Sequence, residues 1–310
     1  MIGARELALG VLVRHEARPD WGLGRVLHLD DGHVHVYFKD VPGDPKAAIR
    51  VLARAASHLS LADVQTDAML DHLPPLIAGR FPSRHNTRVT ESQAVEYFAA
   101  EFGGFEGASY TREYREYPWR AHELVAEWFT GDDGRGRLAS EAPDAMAHRL
   151  RELLRLTNLL TKSEFSAVDR AFADPAAAAR YGAAVLAFVA SPGGPTFGRL
   201  SDAAAALSLG AARGAALLWP TATVLPYLAC PRDCVFVRPD IARRIADAFC
   251  FDVLYDATPG WATYQRFVRL FASLLARLRS LGARDFMDVH AFMEIIAASP
   301  LVKAGAAKKA

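Results

Sequence analysis

What is scarce in these 310 residues narrows the field first. Cysteine occurs only three times, as Cys230, Cys234 and Cys250. An odd number confined to one region is no disulfide framework, and it points to a reducing, cytoplasmic setting. Long apolar runs are missing too. No window reaches the roughly 18 uninterrupted apolar residues of a membrane span, and the opening MIGARELALGVLVRHE is interrupted too early for a signal peptide. Charge of one sign is not in excess: 36 Lys plus Arg against 35 Asp plus Glu leave a formal net charge of +1. No whole-molecule field pulls such a chain onto DNA or anionic lipid, so any nucleic-acid surface has to be a local patch. Phosphate loops, dinucleotide fingerprints, G-x-S-x-G and H-E-x-x-H are all absent. No catalytic residue, metal ligand set or small-molecule cofactor is therefore expected.

What is present suffices for a core: 51% hydrophobic and 23% charged residues exclude wholesale disorder. The segment from Val11 to Phe38 has strand patterning. Arg25-Val26-Leu27-His28-Leu29 and His33-Val34-His35-Val36-Tyr37-Phe38 flank Asp30-Asp31-Gly32, a hairpin signal in which glycine is expected to take positive φ. Alternation puts Val34, Val36 and Phe38 on one face and His33, His35 and Tyr37 on the other. Gly22 and Gly24 suit a sharply bent entry into the first of these strands, and Ile49, Val51 and Leu52 supply a last one. Strands this short cannot bury a face in one flat sheet, so a curled SH3-like barrel is the economical solution.

On His15, Trp21, Gly22, Gly24, Val26, Val36 and Phe38, this segment resembles the Tudor-like, SH3-like module at the C-terminus of bacterial helicases of the UvrD/PcrA type. It is more similar still to a small uncharacterised bacterial domain built around W-G-x-G-x-V. Leu52 and Leu59 depart from that family's closing strand and short helix, and Gly43 and Lys46 match its glycine-lysine only loosely. The resemblance implies a docking module, since some relatives contact RNA polymerase or nucleic acid. Its expected contact surface here is Trp21, Arg25, Tyr37 and Lys39. A plain core tryptophan is the competing account of Trp21. His33-x-His35 has metal-chelating spacing but no evident third ligand.

Beyond the front module the text turns helical. DHLPPLIAGRFPSRHNTR breaks both periodicities and marks a boundary. Thr90 and Gln93 have capping-box spacing, with Val95, Phe98 and Phe102 as the following apolar stripe. Pro118 sits where a helix can start, and Gly131 to Gly134 where it stops. Met146, Leu150, Leu153 and Leu154 line another helix, and Asp174-Pro175 opens an alanine-rich one. Four prolines between Trp219 and Asp240 forbid a continuous helix, so an ordered irregular connection is expected there, with a short extended piece at Val235–Val237. Tyr264 to Leu278 is a long amphipathic helix closed by Gly282, and Asp285 and Asp288 start the last one with cap and third-position spacing.

The expected class is α+β, a small N-terminal SH3-like β-barrel followed by a mostly α-helical domain. The boundaries fall at 1–62 (barrel), 63–89 (linker), 90–300 (helical domain) and 301–310 (mobile tail). The sharpest nucleic-acid patch is YTREYREYPWR. There Tyr110, Tyr114, Tyr117 and Trp119 offer stacking surfaces and Arg112, Arg115 and Arg120 offer charge, against interleaved Glu113 and Glu116. A packed core edge with Arg–Glu pairs outside is the plainer account of the same residues. The cysteines lack the paired knuckles and the fourth ligand that zinc requires. Taken together, the residues lead to a non-enzymatic binding protein acting near DNA or the transcription and repair machinery, with DNA, RNA or an RNA polymerase-type protein as partner and no membrane contact. Two alternatives stand beside it: a nucleic-acid-processing enzyme with its site in the helical body, and a protein-docking subunit of a bacterial defence or stress complex.

Overall fold

The computed structural model describes residues 7–43, 46–54, 58–76, 81, 88–207 and 214–303. Parts of the expected linker, and the tail from Ala304 onward, lie outside these residues. Two compact units emerge, one formed by 1–101, 243–253 and 294–310, the other by 102–242 and 254–293.

The first unit is built on five strands, β1 (Leu12–His15), β2 (Leu23–Leu29), β3 (His33–Phe38), β4 (Ile49–Ala53) and β5 (Leu59–Leu61). They form one antiparallel sheet in the order β4-β3-β2-β1-β5. The alternation of β3 is realised, since Val34, Val36 and Phe38 are fully buried. A bulge separates Val26 from His28, so Val26 faces Val36 and His28 faces His35 with Leu27 as the extra residue. The hairpin differs from expectation in its chemistry. Gly32 is not in the left-handed region; Asp30 Oδ1 instead accepts from the amides of Gly32 (2.9 Å) and His33 (2.6 Å), so a side chain holds the turn. Gly22 does adopt φ +70°, and a Cβ on Gly24 would stand 2.6 Å from the Phe38 ring.

The sheet is not closed into a barrel, because β4 and β5 remain as its two edges. Chain from outside the sheet completes the burial: Leu70, Phe81 and Cys250 join the same core as Val13, Val26 and Phe38. Arg88 stitches this arrangement together. Its buried guanidinium donates to the Tyr37 hydroxyl (2.7 Å) and to the carbonyls of Phe38, Lys39 and Val41. Four acceptors around one cation satisfy a group that is costly to bury alone.

Helices account for most of the remainder. They are α1 (Glu91–Phe102), α2 (Ala108–Tyr110), α3 (Glu116–Phe129), α4 (Asp132–Ser140), α5 (Pro143–Arg155), α6 (Lys162–Ala171) and α7 (Pro175–Ala190). Then follow α8 (Gly194–Ala205), α9 (Gly214–Ala229), α10 (Pro239–Ala248), α11 (Trp261–Leu278), α12 (Phe286–Ala298) and α13 (Pro300–Lys303). The capping box of α1 is present in both directions, Thr90 N to Gln93 Oε1 at 3.0 Å and Gln93 N to Thr90 Oγ1 at 3.1 Å. Asp174 caps α7 through the amides of Ala176 and Ala177, and Gly282 takes the left-handed conformation that ends the α11 segment. Within the second unit α5 packs on α7, α7 on α8, and α3 on α9.

Two expectations fail here, both over proline. Pro118 does not start a helix. Helical structure begins at Ala108, and a π-turn at Thr111–Arg115 leads directly into α3, which contains Pro118. Pro118 lacks the N–H that would bond the Tyr114 carbonyl and its ring crowds that group, so a widened turn just before it relieves the conflict. Between Trp219 and Asp240 the chain is not irregular throughout, for α9 runs to Ala229 with Pro220 and Pro226 inside it. Burial outweighs the roughly 3 kcal/mol that each internal proline costs, since Trp219, Leu225 and Leu228 are completely enclosed. Only the stretch after Ala229 is irregular. There Val235 N donates to the Tyr264 hydroxyl (3.1 Å) and Val237 N to Thr223 Oγ1 (3.0 Å), so side chains replace a ladder for Val235–Val237.

Candidate functional site

On the β unit, the four residues singled out by resemblance do not form one exposed surface. Tyr37 is 2% exposed, with its hydroxyl held by Arg88 and its ring edge-on to Phe81. Alternation placed it opposite Val36 correctly, but chain outside the sheet covers that face locally. Arg25 pairs with Asp71, and Lys39 Nζ lies 2.8 Å from Asp67 Oδ2. Asp67 is held below the usual carboxylate range: burial alone would raise it, but Lys39 and the amides of Leu70 and Met69 prevail. Both cations therefore tie the segment around Leu70 to the sheet.

Trp21 remains half-buried at the surface. A 3₁₀ turn at Pro19–Trp21 sets its backbone, and its ring packs 4.7 Å from His15 and 5.1 Å from Phe38, centroid to centroid. Two guanidiniums lie over the indole, Arg18 at 4.8 Å and Arg50 at 5.0 Å. Arg18 is doubly bonded to Asp20 (2.9 and 2.7 Å), whereas Arg50 Nε has no hydrogen-bond partner among the described residues. His15 beneath has its pKa lowered, first by burial and then by His58 and Arg18. The patch is thus a supported aromatic ring with cationic neighbours, and neither Arg18 nor Arg50 stood in the contact surface expected from the sequence.

In the helical unit the YTREYREYPWR segment divides. Tyr110 and Arg115 are buried, Tyr114 and Trp119 are half-buried, and Arg112 and Arg120 are exposed. Tyr110 donates to Asp288 Oδ1 at 2.7 Å. Burial, and then the Asp288 charge, push its hydroxyl far above the usual tyrosine range. Arg115 grips Asp285 with both terminal nitrogens (2.6 and 2.7 Å) and reaches Asp288 at 3.3 Å. Burial by itself lowers the Arg115 pKa, but the two carboxylates outweigh it and hold the guanidinium charged. Asp285 also caps α12 through the Met287 amide (2.9 Å), the role its spacing suggested. Arg284 completes the group with two bonds to Asp288, at 2.9 and 3.0 Å.

Above this charged floor opens a cavity of about 520 Å³. Arg115, Trp119 and Arg120 line it together with Glu123, Arg232 and Arg284. The π-turn supplies part of its wall, a geometry often found at functional positions. Arg115, Trp119 and Arg120 were legible in the sequence, whereas Glu123, Arg232 and Arg284 were not. Nothing local distinguishes those two arginines from other surface ones.

All three cysteines are free thiols. Burial raises each, Cys234 to about 12, which suits packed side chains and not nucleophiles. His33 and His35 sit at 3.5 and 3.9 Å from the Asp30 carboxylate. Among the described residues no three His, Cys, Asp or Glu side chains are placed to hold a metal ion, and no helix is long and apolar enough to cross a membrane.

Comparison with known proteins reaches only the front of the chain. Residues 7–42 match a family described as a protein of unknown function (DUF3553). No curated protein and no solved structure matches the chain.

Proposed function

We propose that this chain is a non-enzymatic binding protein that works near DNA or the transcription and repair machinery, docking through its β unit. The observation that carries the reading is the Trp21 patch. A half-buried indole, braced by His15 and Phe38, stands beneath the Arg18 and Arg50 guanidiniums. Aromatic and arginine side chains with fixed rotamers dominate binding hot spots because little entropy is lost when a partner covers them. Arg50 meets the indole but no carboxylate among the described residues, which favours an anionic partner, phosphate or carboxylate. The Tudor-like resemblance of the W-G-x-G-x-V segment agrees with a docking role, and the family match over the same residues marks it as a recurring unit.

The charged cavity of the helical unit favours a second reading, a nucleic-acid-processing enzyme. Its lining contains no histidine, and its most buried acid, Asp285, is committed to Arg115 and to a helix cap. Binding therefore outranks catalysis. Salt-titrated binding to DNA, RNA and RNA polymerase tests the docking proposal on wild type, Trp21→Ala and Arg50→Ala. Arg50→Ala leaves the His15 and Phe38 rings against the indole, so it separates docking from folding. The expected result is saturable binding by wild type to one of the three, weakened in both folded variants, with a shallower salt slope for Arg50→Ala. Equal and negligible binding by all three proteins would end the proposal.

A further inference from the structure

The cavity beside α3 is more specific than a generic charged cleft once its committed groups are set aside. Arg115 spends its charge on Asp285 and Asp288. Arg120 pairs with Glu116 at 2.5 Å, and Arg284 gives Nε and Nη2 to Asp288. Beyond the second carboxylate oxygen of Glu116, the Thr111 hydroxyl and the remaining nitrogens of Arg120, three groups stay available at the lining. Arg232 is exposed and has no partner among the described residues, and Arg284 keeps Nη1. Glu123 keeps one carboxylate oxygen, the other accepting from the Trp119 indole at 2.9 Å. Arg232 and Arg284 approach from different segments, held in register by the Phe286 amide donating to the Pro231 carbonyl at 2.9 Å. The lining therefore brings together two arginines with unbonded nitrogens and an accepting carboxylate oxygen on the residue that holds the Trp119 indole.

We propose that this cavity binds a nucleoside phosphate, free or as a unit of a single strand, with Arg232 and Arg284 on the phosphate and Glu123 on a base amino group beside Trp119. A nucleotide supplies both an anion for the arginines and a planar hydrogen-bond donor for the carboxylate beside the indole. The volume of about 520 Å³ falls in the range of roughly 300–1,000 Å³ typical of small-ligand sites. Arginine pairs are well suited to phosphate because their planar forks match its oxygens. The charged floor keeps this geometry fixed: Arg284 cannot swing toward Asp285 while Asp288 holds two of its nitrogens.

The site lies in the helical unit and does not rest on docking by the β unit, so Trp21→Ala should leave it intact. Titration calorimetry on the full chain tests it with AMP, adenosine, inorganic phosphate and an adenine oligonucleotide. Wild type is expected to bind AMP or the oligonucleotide saturably, with adenosine and phosphate each at least about tenfold weaker. A tighter oligonucleotide assigns the site to a strand; a tighter AMP assigns it to free nucleotide. Arg232→Ala removes an exposed side chain without structural partners, so it should fold normally and weaken AMP by about tenfold or more. Glu123→Gln discriminates further. Simple charge attraction makes AMP bind more tightly when an acid is removed, whereas recognition of the amino group makes it bind less tightly. No saturable binding up to millimolar ligand, or unchanged affinity in Arg232→Ala, overturns the site, and tighter AMP binding by Glu123→Gln overturns the assigned base end.

Discussion

Replacing Arg115 by Met tests whether the buried charge group organises the helical unit. The side chains of Arg115, Asp285 and Asp288 are 7%, 5% and 0% exposed. Methionine fills a similar volume, so the perturbation is mainly electrical. Asp288 loses one contact at 3.3 Å but keeps Arg284 and the Tyr110 hydroxyl. Asp285 loses both bonds of its fork and retains only its capping amides, leaving a buried carboxylate with no cation. Stranding one partner of a buried pair typically costs about 3–5 kcal/mol. The retained caps place the expected loss near the lower end, about 3 kcal/mol, which for a chain of 310 residues lowers the melting temperature by roughly 5 °C. Urea and thermal denaturation at pH 7 measure it. Adding Asp285→Asn to Arg115→Met should restore most of the loss, because asparagine still accepts from the Met287 amide but brings no charge. A loss below about 1 kcal/mol, or a double variant no better than the single one, refutes the reasoning: the charge group would then be an incidental pairing.

Two further outcomes follow from the β unit. Gly24→Ala puts a methyl 2.6 Å from the Phe38 ring, with Val36 as close, so repacking should cost about 1–3 kcal/mol in denaturant unfolding; a neutral alanine would mean that β2 and β3 separate easily. His15, buried with Nδ1 lacking a partner among the described residues, has its pKa lowered from the ordinary 6.5 by burial first. The unfolded chain takes up the proton before the folded one does, so stability should fall as pH drops through 6.5 and level off once the folded His15 is protonated too. His15→Gln should flatten this portion of the pH–stability curve, and identical curves for the two proteins would show that His15 is not the group responsible.

Much of the local structure was legible in the chain before any coordinates. Alternation assigned Val34, Val36 and Phe38 to the core, capping chemistry placed the starts of α1 and α7, and apolar spacing outlined α5 and α11. Such features are set by neighbours within a few residues, so a linear text contains them completely. Tertiary structure alone decided the rest. Period two says that Tyr37 points away from Val36 but not that Arg88 and Phe81 will cover it. Two internal prolines speak against α9 until the burial of residues 219–229 is counted. The candidate cavity depends on Arg115 meeting Asp285 across 170 residues of chain, and on Arg232 and Arg284 arriving beside Trp119. Propensity reports local free energy, whereas these contacts draw on burial and charge pairing that exist only once distant segments have met.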